Sequence, residues 1–239
     1  MVSSSLDVLA IAAHRDDVEQ TCGGTLLKAA QRGQRTGVLD LTQGEMGTRG
    51  TAEDRAREAD DAAKILGISW RKALDIPDGR VENTWDNRLK VAAVIRETRP
   101  RVLILPYWKG RHPDHYTCSI LGYEACFLAG LKKLGLTLPP HRPFKIIYAT
   151  LYYDIRPTFV VDISAQFEQK VASIFAYKSQ YSDQEAGKDL FPSHNEIRAR
   201  VESMARFYGA LGGVSHAEPF IQKEVGLVDD LLAIPVKSI

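Results

Sequence analysis

Apolar residues in the first half of the chain recur in short continuous runs, separated by longer stretches in which apolar positions follow helical spacing. Such runs are typical of strands covered on both faces, and such stretches are typical of amphipathic helices. The predicted strands are residues 6–13, 36–42, 101–108 and a short strand within 68–79. The predicted helices are residues 23–33, 52–67, 83–100 and 111–131. This alternation predicts a Rossmann-like α/β fold, with a doubly wound, mostly parallel sheet flanked by helices.

The second half of the chain is less regular. Its pattern predicts strands within residues 144–154 and 158–164, helices over 165–182 and 196–213, and a polar loop at 183–194. We find no linker, internal repeat or low-complexity segment. The sequence therefore predicts a single domain over residues 1–239. Its Rossmann-like core covers about 5–150, and the C-terminal strands and helices cover about 151–239.

Composition narrows the classes of partner. The 239 residues carry a net charge of +1, so there is no global positive field of the kind that gathers nucleic acid or anionic membrane. The apolar stretch near the N-terminus is about eight residues long, too short for a membrane span or a typical signal peptide. Three cysteines without a CxxC pair indicate reduced thiols. We expect a cytoplasmic protein with no nucleic-acid or membrane partner.

Two polar clusters follow two of the predicted strands, one after the strand at 6–13 and one after the strand at 101–108. They are HRDD at residues 14–17 and HPDH at residues 112–115. Ligands of open α/β sheets bind beyond the carboxyl ends of the strands, which is where both clusters fall. Neither cluster is a phosphate-binding loop. Because imidazole and carboxylate together suit zinc or ferrous iron better than magnesium, the sequence predicts a site for one of these ions. Two or three protein ligands plus a water would make it an open catalytic site, and four would make it a closed structural one.

The string AHRDDVEQTCGGTL, followed by RHPDH, resembles the LmbE-like, or PIG-L, family of zinc-dependent N-acetylglucosamine deacetylases. That family opens with A-H-P-D-D, then a glutamate and G-G-T-L. The strings DLTQGEMGTRGT, IPDGRVENTWDNRLKVA, LPYWKGRHPDH, LPPHRP and FVVDIS are similar to its bacillithiol-biosynthesis branch. The resemblance covers about residues 5–225. It implies a hydrolase that removes acetyl from an N-acetylglucosaminyl conjugate, namely N-acetylglucosaminyl-malate.

The resemblance also implies the metal ligands. They are His14, Asp17 and His115, with Zn²⁺ as the expected cofactor and Fe²⁺ as an ion that the same ligands would accept. Arg15 stands where the family has proline. This departure removes a rigid backbone element and adds a positive charge beside the site, but it removes no ligand.

Three further residues take catalytic roles by the same resemblance. Asp16 would be the general base that accepts a proton from water. His112 would support the oxyanion or protonate the leaving amine. Asp114 would hydrogen-bond to His112 and set its tautomer.

Substrate contacts are predicted at three arginines, because a guanidinium group suits the carboxylates of a malate conjugate. They are Arg49, Arg55 and Arg142. The alternative is that these arginines are ordinary solvated side chains.

Two other functions remain open from the sequence. One is a deacetylase of another N-acyl sugar, such as a chitin fragment or an antibiotic-linked glucosamine. The other is a catalytically silent, metal-binding Rossmann-like module, for which Arg15 is the one supporting feature. The resemblance further implies a small-molecule N-acetyl sugar as substrate and a homo-oligomeric assembly, with hexamers common in the family.

Overall fold

A computed structural model describes residues 5–151, 153–182 and 192–236, in which helices cover both faces of a seven-stranded sheet. The strands are β1 (Val8–Ala12), β2 (Thr36–Asp40), β3 (Trp70–Ala73), β4 (Val102–Pro106), β5 (Lys145–Ala149), β6 (Phe159–Asp162) and β7 (Ala217–Ile221). The helices are α1 (Asp17–Thr21), α2 (Gly23–Gln31), α3 (Ala52–Leu66), α4 (Trp85–Thr98), α5 (Pro113–Ala129), α6 (Phe167–Phe175), α7 (Lys178–Tyr181) and α8 (His194–Gly212). A short 3₁₀ helix spans Leu231–Ala233.

The strand order is β3-β2-β1-β4-β5-β7-β6, and the first five strands of this order are parallel. β1 pairs with β2 on one side and with β4 on the other. The winding direction therefore reverses at β1, and the loops after β1 and β4 diverge there to leave a crevice. The prediction of a single-domain, mostly parallel α/β fold is confirmed.

The C-terminal part of the sheet contains a strand that the sequence pattern did not predict. β7 lies between β5 and β6 and is antiparallel to both. Its sequence, AEPFI, lacks alternation and contains Pro219, which argues against a central strand. Pro219 is accommodated because β5 pairs only with Phe220 and Ile221, so Pro219 has a strand neighbour on the β6 side alone.

The core has two layers, one on each face of the sheet. Leu9 and Ile11 of β1 pack with buried residues of α4 and α5. Ala10 and Ala12, which point to the opposite face, pack with Val18, Cys22 and Leu26. The alanines on this second face leave room above the sheet beside α1.

The start of α2 is held by a residue from the far end of the chain. Glu218 on β7 accepts hydrogen bonds from the backbone N–H of Gly24 (2.9 Å) and of Thr25 (2.7 Å). Its charge is balanced by Lys170, whose Nζ lies 2.5 Å from Glu218 Oε1. A Cβ on Gly24 would lie 2.9 Å from atoms of Ile163, so the close approach requires glycine. The first turn of α2 is therefore held against β7, and Gly24 permits its close approach to Ile163.

Two local differences from the sequence prediction concern helices. The short helix α1 was not predicted, and the helix expected over 165–182 is divided into α6 and α7 around residues 176–177. The loop expected at 183–194 falls mostly on residues 183–191, which lie outside the described ranges. Within those ranges, no helix is long and apolar enough to cross a membrane.

Candidate metal and catalytic site

The two predicted polar clusters meet at the carboxyl ends of β1 and β4. Residues 14–16 form the turn between β1 and α1, and Asp17 begins α1. Residues 113–115 form the first turn of α5, with His112 at the N-cap and Pro113 at the first helical position. Because β1 and β4 are neighbours in the sheet, segments about 100 residues apart supply one site.

Three candidate ligand groups, His14, Asp17 and His115, lie next to one another. His14 Nδ1 lies 3.2 Å from His115 Nε2, and Asp17 Oδ1 lies 3.2 Å from the same His115 nitrogen. Asp17 Oδ2 lies 3.6 Å from His14 Nδ1. Ligand atoms around a tetrahedral ion with bonds of ~2.05 Å lie ~3.3 Å apart. The chemistry and spacing of this donor set therefore suit a zinc-sized divalent ion.

The other nitrogen of His14 faces carboxylates. His14 Nε2 lies 3.0 Å from Asp78 Oδ1 and 3.2 Å from Asp114 Oδ2. Asp114 is in turn fixed by the backbone N–H groups of Gly79 (2.8 Å) and Val81 (3.2 Å). A ring nitrogen that donates to a carboxylate leaves the other nitrogen free to bind metal. Asp114 and Asp78 thus orient Nδ1 of His14 towards Asp17 and His115.

The predicted role of Asp114 needs correction. Its carboxylate contacts His14 rather than His112, because the side chain reaches from the first turn of α5 towards the turn after β3. His112 Nδ1 instead accepts a hydrogen bond from the backbone N–H of Asp114 at 3.2 Å. That bond leaves the proton of a neutral His112 on Nε2. The tautomer is therefore set by the backbone of Asp114, not by its carboxylate.

Asp78 lies outside both polar clusters, so the motifs in the sequence do not identify it. It follows β3, which is a parallel strand like β1 and β4. A carboxylate beyond the carboxyl end of such a strand is where a ligand-binding residue is expected, and this position is the one sequence feature that could have identified it.

His112 also belongs to the imidazole cluster. His14, His112 and His115 each have a ring nitrogen within 4.8 Å of a ring nitrogen of the other two. The rings of His112 and His115 stack with centroids 4.7 Å apart. The structure therefore offers a second ligand set, in which His112 joins the two other histidines.

The pKa values of the two adjacent aspartates are shifted in opposite directions. Burial, partly offset by the positive charge of Arg55, raises the pKa of Asp16 to about 6. Burial also acts on Asp17, but the charge and hydrogen bond of His115, with those of His14, hold the pKa of Asp17 well below its usual value. Asp17 is thus an ionised acceptor, whereas Asp16 is a carboxylate of higher basicity.

The acidic surroundings also act on the histidines. Burial opposes the charged form of His14, but hydrogen bonds to Asp114, Asp17 and Asp78 outweigh it and raise its pKa to about 12. Burial, together with the charges of His14 and His115, lowers the pKa of His112. The cluster therefore stabilises positive charge at His14, and a bound divalent ion would replace that proton.

The guanidinium group of Arg55, a predicted substrate contact, is bound to the turn after β1. Its Nη2 donates to Asp16 Oδ1 at 2.9 Å and also to the carbonyl oxygen of Arg15. Arg15 is itself buried, and its Nη1 donates to the carbonyl oxygens of Ala52 (2.7 Å) and Gln43 (3.3 Å). Arg15 thus connects the turn after β1 to the first residue of α3 and to the loop after β2.

The two other predicted substrate arginines, Arg49 and Arg142, do not line the cavity beside Asp17 and His115. Arg49 is buried, and its Nη1 donates to the carbonyl oxygens of Gln180 (3.3 Å) and Ser182 (3.4 Å). Arg142 precedes β5, at the amino end of the parallel strands, and lies over the ring of Phe127 at 4.8 Å. Arg142 therefore lies at the opposite end of the parallel strands from the candidate metal ligands.

A cavity of about 140 Å³ opens beside Asp17, His112 and His115. This volume is below the ~300–1,000 Å³ of pockets that enclose whole ligands, so it suits one small group of a larger substrate. The side chain of Asp16 is not part of its lining. The lining includes two cations that were not predicted, Lys109 and Arg111, on the loop between β4 and α5.

Comparison with known proteins identifies relatives over most of the chain. The diacetylchitobiose deacetylase of Thermococcus kodakarensis is 31% identical over 227 residues, which cover 88% of this chain and 80% of that protein. The crystal structure of the conserved protein TT1542 from Thermus thermophilus has a TM-score of 0.85 and 39% identity, covering 94% of this chain and 98% of that one.

A second solved structure is the N,N'-diacetylchitobiose deacetylase from Pyrococcus horikoshii with its inhibitor MPG. It has a TM-score of 0.79 and 25% identity, covering 89% of this chain and 82% of that one. The model of the PIG-L family, described as GlcNAc-PI de-N-acetylase, matches residues 9–126, which contain both polar clusters. With these matches the predicted family is confirmed, and the chain belongs to the PIG-L family.

Proposed function

We propose that the chain is a metal-dependent deacetylase that removes the acetyl group from an N-acetylglucosaminyl conjugate. The observation that carries this proposal is the grouping of His14, Asp17 and His115. The two imidazole nitrogens lie 3.2 Å apart, and Asp17 faces His115 through Oδ1 (3.2 Å) and His14 through Oδ2 (3.6 Å). The adjoining cavity has room for a group the size of an acetamide. The T. kodakarensis relative, named as a diacetylchitobiose deacetylase, supports the same reaction class.

In this proposal His14, Asp17 and His115 hold Zn²⁺ or Fe²⁺. Such an ion polarises an amide carbonyl and lowers the pKa of a bound water to ~7. Asp16 accepts the proton of the attacking water. A carboxylate whose pKa is raised to about 6 is a stronger base than an ordinary aspartate, and it is still ionised at neutral pH.

His112 assists on the side of the substrate. Its Nδ1 is occupied by the Asp114 backbone N–H, so the Nε2–H of the neutral ring is available to the oxyanion. The lowered pKa of His112 keeps it neutral at the start of the reaction. After attack, the proton that Asp16 has taken is delivered to the departing amine, directly or through His112.

For the substrate, we propose an N-acetylglucosaminyl conjugate that carries a carboxylate, with N-acetylglucosaminyl-malate as the specific candidate. Lys109 and Arg111 line the cavity, so a negative charge on the substrate would find partners there. This assignment replaces Arg49, Arg55 and Arg142 as the predicted substrate contacts. The second candidate is a neutral N-acetylated disaccharide, which the name of the T. kodakarensis relative favours.

Amine release from N-acetylglucosaminyl-malate, diacetylchitobiose and N-acetylglucosamine tests these candidates. The protein is stripped with a chelator and reloaded anaerobically with Zn²⁺ or with Fe²⁺ before assay. We expect activity only after reloading and the highest kcat/KM on the malate conjugate. Lys109→Met should lower kcat/KM on the malate conjugate more than on N-acetylglucosamine. Stoichiometric metal without amine release from any of the three would instead favour a silent metal-binding module.

We also propose that the chain forms homo-oligomers, hexamers included. A cavity of about 700 Å³ separates the outer face of α5 from the segment after β7. Large apolar side chains are exposed on both sides of it, among them Phe127 (58% exposed) on α5 and Leu227 (94%) on the segment. Exposed patches of this kind are typical of protein–protein contacts. Light scattering after gel filtration tests the proposal, and a monomer at micromolar concentration would contradict it.

A further inference from the structure

Tyr181, the last residue of α7, reaches the proposed general base from a distant part of the chain. Its hydroxyl donates a hydrogen bond to Asp16 Oδ2. The other carboxylate oxygen, Oδ1, accepts from Arg55 Nη2 at 2.9 Å. The two oxygens of Asp16 are therefore held by donors from two different helices, α3 and α7.

The Asp16 side chain projects from the turn between β1 and α1. Asp16 has a left-handed backbone conformation there, with φ at 95°. Each of its carboxylate oxygens accepts from a different donor, Arg55 on α3 and Tyr181 on α7, so the two bonds together fix the direction of the carboxylate.

The hydroxyl of Tyr181 is itself oriented. Gln20 Nε2 donates to the Tyr181 oxygen at 2.7 Å, so one lone pair of that oxygen is occupied by an N–H group. The tyrosine hydrogen is thereby directed to Asp16 rather than to Gln20. Because Tyr181 is a neutral donor, it orients the carboxylate without adding a second positive charge beside Arg55 and the metal ligands.

We propose that Tyr181 is a positioning residue for the Asp16 carboxylate, and through it for the water that Asp16 deprotonates. This inference rests on the proposed function, in which Asp16 is the general base. Tyr181 acts only in the chemical step, since its hydroxyl contacts the base rather than the cavity that receives the substrate.

The test compares Tyr181→Phe with a matched tyrosine in the same segment. Tyr177 lies four residues earlier, is buried, and donates to Glu19 Oε1 at 3.1 Å instead of to Asp16. We expect Tyr181→Phe in the metal-loaded protein to lower kcat about tenfold, the order expected for one hydrogen bond to a charged group, with KM within about twofold. Tyr177→Phe should keep kcat within about twofold. Bound metal should be equal in all three proteins.

A double-mutant cycle decides whether Tyr181 acts through Asp16. In the Asp16→Asn background, Tyr181→Phe should leave the residual rate unchanged, because the group that it positions is no longer a base. A second variant, Gln20→Met, removes the donor that orients the hydroxyl and should lower kcat in the same direction, by a smaller factor.

Three results would overturn the inference. One is a Tyr181→Phe variant as fast as wild type while Asp16→Asn is inactive, which leaves the proposed function intact. Another is an equal loss of kcat in Tyr177→Phe, and the third is the same Tyr181→Phe effect in both backgrounds. If Asp16→Asn itself retains the wild-type rate, the proposed role of Asp16 fails first, and the role of Tyr181 fails with it.

Discussion

The adjacent residues Asp16 and Asp17 belong to two different sides of the site. On the histidine side, Asp17 lies 3.2–3.6 Å from the ring nitrogens of His14 and His115 that it faces. On the arginine side, Asp16 accepts hydrogen bonds from Arg55 and Tyr181. The pKa of Asp17 is held well below its usual value, and that of Asp16 is raised to about 6. One dipeptide therefore supplies a ligand-like carboxylate and a base-like carboxylate.

The backbone makes this division possible. Asp16 has φ at 95°, and α1 begins at Asp17, so the chain turns sharply between the two side chains. Consecutive side chains then point to different partners, although their Cα atoms are one peptide apart. Of the two, Asp17 lies beside two imidazoles that suit a divalent ion, and Asp16 lies beside a fixed arginine. Mutations on the two sides should therefore have separable effects, those on the histidine side on metal content and those on the arginine side on rate.

The largest effect is expected on the histidine side. Asp17→Ala removes a proposed ligand, so both bound metal and amine release should be lost. The loss of metal affinity should exceed the ~10–100-fold typical of residues that only support a ligand. Elemental analysis after dialysis measures the metal. The control is His141→Ala, since His141 lies near the amino ends of the strands, where its Nε2 is 2.8 Å from the carbonyl oxygen of Pro100. Full metal occupancy in Asp17→Ala would remove Asp17 from the ligand set.

On the arginine side, Asp16→Asn should lower kcat by ~10²–10⁴, the usual contribution of a general base, with metal retained. In the wild-type protein a base with a pKa of about 6 is protonated, and therefore inactive, at lower pH. We expect kcat/KM to fall as the pH decreases through about 6, and this acid limb to be absent in Asp16→Asn. Rate profiles between pH 5 and 8 check both points. Loss of metal in Asp16→Asn would show that the two sides are not separable.

His112→Ala tests whether His112 is a metal ligand or a hydrogen-bond donor to the oxyanion. If His112 supports the oxyanion, kcat should fall by ~10²–10³ with metal retained. The alternative is the three-histidine ligand set, since nitrogens of His14, His112 and His115 can lie within 4.8 Å of one another. In that case His112→Ala loses metal and Asp17→Ala keeps it. Elemental analysis of the two variants side by side distinguishes the sets.

Much of the fold and the central cluster could be predicted because the relevant signals are local. The strands β1 and β4 are continuous apolar runs. The cluster at 14–17 follows β1 almost directly, and the cluster at 112–115 follows β4 after a short loop. The rule that ligands bind at the carboxyl ends of parallel strands then brings the clusters together. The resemblance to the PIG-L family implies that His14 and His115, about 100 residues apart, share an ion, and their nitrogens lie 3.2 Å apart.

The partners that lie outside those motifs could not be predicted. A periodic helix pattern shows that Arg55 lies on α3, but it does not show that its guanidinium group faces Asp16 instead of the pocket. Tyr181 meets Asp16 across 165 residues, and no local pattern encodes that pairing. β7 carries no alternation and contains Pro219, so the strand exists only because β5 and β6 provide its hydrogen-bonding partners.

The smallest effect is expected from the residue that orients a ligand. Asp114→Asn keeps the side-chain shape but removes the negative charge 3.2 Å from His14 Nε2. It should weaken metal affinity by ~10–100-fold, with kcat at saturating metal little changed, because the ring of His14 is less firmly fixed. Competition with a chromogenic chelator measures the affinity. Asp75→Asn, an exposed aspartate paired with Lys90 at 2.6 Å, is the matched control. An unchanged affinity with a lower kcat would mean that Asp114 acts on His112 after all, and that its contact with His14 does not support metal binding.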